Sequence, residues 1–327
     1  MPNNSQLSTG NWPAITCLCP TYGRFERLRD AVACFLLQDY GVRRTADEAE
    51  ATLIILNDAP VPIRVAAGTL IGTMHPSAGG VRDELNILPS RRVVVVNRPE
   101  RFGSLGQKRQ QLLEGARTEL VAHWDDDDIY FPWHLSQTVS TLLSAVRRTG
   151  ATCAKSGAAW FVTGPRQGPF QCRGIHHNVF EGQMVFFAYR ALELGGYPPK
   201  DSGQAKALLD AFRCAGELHE WNPPDADVSY VYRWGDGVHH VSGSGDSQAS
   251  HEKFGAANRD FGDGQPLIAG DDPLAWARER LAGQFEELLR AFRSYLSAED
   301  RDRMSAHLLA AVQPVTAQTA STEACNR

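Results

Sequence analysis

The chain has 327 residues, 33 Lys+Arg against 38 Asp+Glu for a net charge of −5, and a 43% hydrophobic composition. That length supports one large domain or two small ones with a substantial core, and the acidic balance excludes a global basic field for nucleic acid or anionic membrane. No apolar run approaches the roughly 18–20 residues that span a bilayer; the opening MPNNSQLSTGNWP lacks the basic start and apolar core of a secretory leader, and seven scattered cysteines predict reduced thiols in a cytosolic enzyme.

Ala14–Cys19 is a short, mostly apolar run stopped by Pro20, which predicts a strand, followed by a turn at Thr21–Arg24. Leu28, Val32, Phe35 and Leu36 recur at helical spacing and predict a helix over 25–38. Ala51–Leu56 (ATLIIL) and Arg92–Asn97 (RVVVVN) are continuously apolar, as expected of strands in a parallel sheet covered on both faces. Residues 61–90 fit no period and read as an insertion of loop character. A helix over 106–116 and a strand over 119–124 complete the first half, an alternation that predicts an open α/β sheet with right-handed crossovers. Ligands of such sheets sit beyond the carboxyl ends of the strands, so Thr21, Asp58, Asn97 and Asp125–Asp128 are expected along one rim. Beyond 150, short strands are expected at 158–162, 183–189 and 228–233, with a helix at 204–215. Asp272-Pro273 starts a further helix whose stripe of Leu274, Leu281, Phe285, Leu288, Leu289, Phe292 and Leu296 fits packing on the main domain. Ser297 and Asp300 form a capping box for a last helix near 298–312, and the final fifteen or so residues are expected to be disordered.

The chemistry concentrates in HWDDDDIYFPWHL, residues 123–135. Four adjacent carboxylates after a buried strand repel one another and lose solvation unless a cation offsets them. Alternate side chains point the same way, so Asp125 and Asp127 can face one hard ion such as Mg²⁺ or Mn²⁺ together with substrate phosphates. The alternative is a solvated acidic turn with capping aspartates. An EF-hand is a poor fit, since neither its glycine nor its closing glutamate is in place.

Four segments taken in order resemble the family 2 glycosyltransferases, which have the GT-A fold. They are ITCLCPTYGRFERLRDAVACFLLQDY, ATLIILNDAP, GSLGQKRQQLLEGARTELVAHWDDDDIYFPWHL and FEGQMVFFAYRALELGGYPP, and the likeness covers roughly 15–200. It implies a Rossmann-like α/β/α sandwich with a mostly parallel central sheet, plus C-terminal helices. It further implies a flexible tail (1–12), a nucleotide-sugar half (13–140), an acceptor half with a metal-closing loop (141–265), C-terminal helices (266–312) and a disordered tail (313–327). By the same resemblance Pro20, Thr21 and Tyr22 wall the nucleotide site and Asp58 accepts a hydrogen bond from the base. Arg109 stands near the donor phosphates, Asp125 and Asp126 contact the ribose or donor, and Asp125 and Asp127 hold Mn²⁺ or Mg²⁺. One of the histidines His239 and His240, in YVYRWGDGVHHVSGSGD, would be a further metal ligand.

The implied activity is a metal-dependent, inverting transfer from a nucleoside diphosphate sugar, with uridine the expected base, to a glycan, lipid-linked or small-molecule hydroxyl. It would be cytoplasmic, at most peripheral to the membrane. The pattern breaks at the general base. The family's acidic pair after the Gly-Gly-aromatic turn falls on Gln204 and Ala205, neither of which can take a proton. Asp201 and Asp210 are the nearest substitutes, with Asp225, Asp227 and Glu181 in reserve. Two other readings follow: a non-catalytic sugar-nucleotide or glycan binder on this scaffold, and a nucleotidyltransferase, which would need a richer glycine loop after the first strand. Trp160, Trp221 and Trp234 are candidates to stack on a sugar or to fill the core, and the pair His176-His177 has no assignable role.

Overall fold

A computed structural model of the chain describes residues 12–40, 50–67, 73–75, 80–88, 91–163, 169–178, 180–234 and 259–313. Residues 1–11 and 314–327 of the expected tails, His239, His240 and the glycine-rich loop around them lie outside the described residues. The centre is a nine-stranded sheet whose middle four strands are parallel. Here β1 (Ile15–Thr21) lies between β2 (Ala51–Asn57) and β7 (Leu120–His123), and β2 pairs with β6 (Arg91–Asn97). Cys17 stands opposite both Leu53 and Ala122, so the apolar runs are in register and the strands are buried along most of their length, with Ile54 of β2 half-buried.

The insertion expected at 61–90 is corrected by the structure. It supplies β3 (Arg64–Ala66), β4 (Thr73–His75) and β5 (Gly80–Leu88), and β5 runs antiparallel along β6. β4 pairs with the other side of β5 and forms the sheet edge; polar GVRDELNIL has no continuous apolar run, so it carries little local signal of a strand. At the other edge β12 (Met184–Phe187) is antiparallel to both β7 and β9 (Cys153–Ser156), and β13 (Leu218–Trp221) is parallel to β9. The strand expected through residue 189 ends at Phe187, where AYRALE, rich in helix formers, turns into the short helix α4 (Ala188–Glu193).

Helices cover both faces. The core on one face takes α1 (Phe25–Leu36), α3 (His134–Thr149) and α6 (Pro273–Phe292), and that on the other takes α2 (Leu105–Gly115), α4 and α5 (Gln204–Cys214). Asp272 caps α6 by accepting from the Leu274 and Ala275 amides, and Ser297 caps α7 (Ala298–Val312) through the Asp300 amide. Trp276, Leu281, Phe285, Leu288 and Phe292 of α6 are buried, so that stripe is core. No helix among the described residues is long and apolar enough to cross a membrane. A second sheet orders β11 (Gln171–His177), β10 (Ala158–Thr163), β14 (Tyr230–Trp234) and β8 (Ile129–Tyr130). Because β8 directly follows the four aspartates, that run is the chain's crossing from the large sheet to the small one.

Candidate functional site

The acidic crossing is clamped on both sides. Trp124 extends β7 by donating its amide to the Leu18 carbonyl at 3.1 Å, and its indole donates to the Ala31 carbonyl at 3.0 Å. The Tyr130 ring stacks on that indole at 3.9 Å, and its hydroxyl accepts the Asp125 amide at 2.7 Å. Two buried aromatic rings thus hold the backbone of a segment that its own charges would push open.

The four aspartates are shared among several partners. Asp125 pairs with Arg109 at 2.5 Å. Arg24 spans the next two, reaching Asp126 and Asp127 at 2.6 Å each. Asp128 accepts from the Tyr230 hydroxyl at 2.5 Å and from the Arg233 amide at 3.0 Å. Guanidinium groups offset the charge of Asp125, Asp126 and Asp127. Arg24 was missed; the signal was a basic residue in the turn after β1, brought to the acidic run by Gly23 at φ +64, a conformation that favours glycine. Burial pushes the Asp126 carboxyl up to about 6 against the pull of Arg24, with Asp127 adding repulsion. Burial, then Asp127 and Asp125, raise Asp128 well above the ordinary carboxylate range.

Asp125, Asp127 and Asp128 line a cavity of about 570 Å³ together with Arg24, Arg109, His123, Glu181, Gly182, Gln204 and a set of aromatic rings. Arg109 is held for this position by α2, its Nη2 on Asp125, while its Nε has no hydrogen-bond partner among the described residues. Burial, then Arg109, push the His123 imidazole well below its usual range, so it is neutral. Its Nδ1 lies 3.0 Å from the Glu181 carbonyl, which assigns the ring proton to Nδ1 and leaves Nε2 to accept from the Tyr197 hydroxyl. At Gly182 a Cβ would fall 2.5 Å from the Tyr230 hydroxyl and 3.0 Å from Asp125 Oδ2, so only glycine lets this strand end approach the acidic run.

The remaining candidates separate from that cavity. Pro20 and Thr21 are buried at the end of β1, and Tyr22 lies between Arg101 and Arg259, 4.1 and 5.0 Å from its ring centre. Asp58 is buried and tied at 2.5 Å to Lys108, whose ammonium also donates to the Thr21 carbonyl; Asp58 accepts the Phe102 amide as well. These four residues are not in the cavity wall, although α2 joins the two places, with Lys108 on one and Arg109 on the other.

Both named base candidates are placed elsewhere. Asp201 accepts the Leu105 amide at 3.0 Å, at the start of α2. Asp210 is exposed on α5 between Lys206 and Arg213, and the Lys206 hydrogen bond lowers its pKa. Asp225 and Asp227 belong to a short 3₁₀ turn where the Asp227 carbonyl takes the Trp133 indole proton. Glu181 alone of these five lines the cavity, and burial raises its pKa above the usual carboxylate value. Trp160 is core, stacked on Phe292 at 4.0 Å, whereas Trp234 and His176 line the cavity.

Asp125 and Asp127 offer hard oxygen donors to one space, which fits a dication of the kind held by one or two carboxylates and substrate phosphates. Such an ion would share those carboxylates with Arg109 and Arg24. Among the described residues no group of three or more His, Cys, Asp or Glu side chains is placed to hold a metal.

No family model matches the chain, and no curated protein does. Solved structures resemble it distantly. The S. aureus TarS 1–349 complex with UDP-GlcNAc is 11% identical with a TM-score of 0.46, covering 92% of this chain and 82% of that one. The S. aureus TarS 1–349 structure is 12% identical at 0.44, covering 91% and 71%. M. tuberculosis glucosyl-3-phosphoglycerate synthase is 14% identical at 0.38, covering 67% and 74%.

Proposed function

We propose that this chain transfers a sugar from a nucleoside diphosphate sugar, with uridine the expected base, to a hydroxyl acceptor, as the resemblance to family 2 glycosyltransferases implies. The observation that carries the reading is one cavity, at the carboxyl ends of parallel strands, lined by paired carboxylates and two arginines. Arg109, with its unpartnered Nε, and Arg24 are placed to offset charge on the departing diphosphate. Asp125 and Asp127 would hold Mn²⁺ or Mg²⁺, which as a bound Lewis acid stabilises the same leaving group. Glu181 takes the acceptor's hydroxyl proton as the new oxygen–anomeric carbon bond forms and the bond to the diphosphate oxygen breaks, with inversion. Its raised pKa suits a base, because the protonated product is favoured by the same burial.

The test is calorimetric titration of UDP with and without Mn²⁺, on wild type and Asp127→Ala, followed by turnover of UDP-GlcNAc. Binding that needs both the metal and Asp127 supports the reading. Absence of binding for UDP, GDP and TDP alike would overturn it. A non-catalytic donor-binding role has one observation in its favour: Gln204 and Ala205 line the cavity where the resemblance places an acidic pair. Donor binding without turnover for any hydroxyl acceptor would select that role.

A further inference from the structure

The cavity's second wall is aromatic. In the small sheet Phe161 of β10 is in register with Tyr232 of β14, and Thr163 with Trp234, so Phe161, Tyr232 and Trp234 share one face. The other face carries Trp160, Val162 and Val231 into the core. His176 of β11 is in register with Ala159 and joins the aromatic face, 4.7 Å from the Phe161 ring. Phe180 completes it, stacked on Tyr232 at 4.0 Å, while Phe161 and Trp234 lie 5.6 and 6.2 Å from Tyr232 at small interplanar angles. All five rings line the same cavity as Asp125, Asp127 and Glu181.

These rings are half-buried, and Trp234 is 36% exposed, in a protein whose Trp124, Trp160, Tyr130 and Phe131 are fully buried. A run of nearly parallel, partly exposed rings forfeits burial that a ligand would restore. The four carbocyclic and indole rings carry no charge, while carboxylates and arginines line the same space. The matching ligand therefore has a flat apolar face and polar edges. A pyranose has that shape: its axial C–H bonds lie against an electron-rich ring face, and its hydroxyls at the edge are left for the polar groups of the same cavity. An alkyl chain would have no use for the carboxylates beside it.

We propose that Phe161, Phe180, Tyr232 and Trp234 form a stacking subsite for a sugar ring of the acceptor, making the acceptor a glycan; this rests on the transferase reading above. The test is saturation-transfer NMR on the full chain, with UDP present and absent. The probes are methyl glucosides, methyl N-acetylglucosaminides, and manno-, cello- and chitotriose, with phenol as the aromatic control. At least one saccharide should saturate at its ring C–H protons, and its affinity should fall about tenfold in Trp234→Ala and Tyr232→Leu and return in Tyr232→Phe.

No saccharide binding, saccharide binding unchanged in the variants, or phenol binding alone would each overturn the proposal. Calorimetry of UDP on the same variants should give wild-type affinity. A loss there would mean that the wall stacks the nucleobase instead, and would also overturn it. Absence of UDP binding in wild type, beside saccharide binding that needs the rings, would sink the donor reading and leave the wall's ligand in place.

Discussion

Asp125 and Asp127 follow the carboxyl end of β7 in the nine-stranded sheet with Arg109 reaching Asp125 from α2, whereas Phe161, Tyr232 and Trp234 stand on one face of the four-stranded sheet. The two sides of the cavity are stabilised by opposite means. On the charged side Asp125, Asp126 and Asp127 are paired with arginines, and removing one partner leaves a charge uncompensated. On the aromatic side the rings lose contact with water only in part, so removing one costs the fold little. Stability and function should therefore separate cleanly on the aromatic side and entangle on the charged side.

The largest effect is expected from Asp127→Ala. It removes a proposed metal ligand and one of the two partners of Arg24, so transfer should fall by about 10²–10³ and Mn²⁺-dependent UDP binding should vanish. A melting curve alongside the titration would show how much of that loss is structural. Glu181→Gln sharpens the contrast, because it should lower transfer by roughly 10²–10⁴ while UDP affinity holds. The wild-type rate should climb with pH through the raised Glu181 pKa, since the base works only when deprotonated, and that acid limb should flatten in the variant. An unchanged pH profile would remove Glu181 from its role.

Two tryptophans of the small sheet give the next comparison. Trp160→Ala empties a core position stacked on Phe292 and should cost about 3–5 kcal/mol in chemical denaturation. Trp234→Ala on the opposite face should cost less than about 1 kcal/mol. Equal costs would mean that the wall is core after all. Gly182→Ala should destabilise by roughly 1–3 kcal/mol, because the new methyl meets the Tyr230 hydroxyl, and should weaken UDP binding through the displaced Asp125. The smallest change is Asp210→Ala, an exposed helix charge between Lys206 and Arg213, worth roughly 0–1 kcal/mol and nothing in transfer.

Legibility followed the range of the interactions. The strands at 14–19, 51–56 and 92–97 and the helices near 25, 106, 204, 273 and 298 were readable because buried strands and amphipathic helices write their environment into local periodicity. The polar strand β5 was not, because its pairing with β6 is a tertiary event. At the site, the acidic run was readable as a local cluster, and the fold lines one space with Asp125, Asp127 and Asp128. The roles of their neighbours were not, since Asp201 and Asp210 look no less suited to proton transfer than Glu181 until the fold caps one and exposes the other.

The amino-acid sequence alone determined the α/β alternation, the capped C-terminal helices and an acidic crossing that had to be compensated, because each depends on neighbours within a few residues. Only the tertiary structure decided what compensates that crossing and what faces it. Arg24 lies about a hundred residues from its aspartates in the chain, and Phe161 lies about seventy from Tyr232. Contacts of that span are made by sheet register and chain crossing, which leave no periodic trace in the sequence.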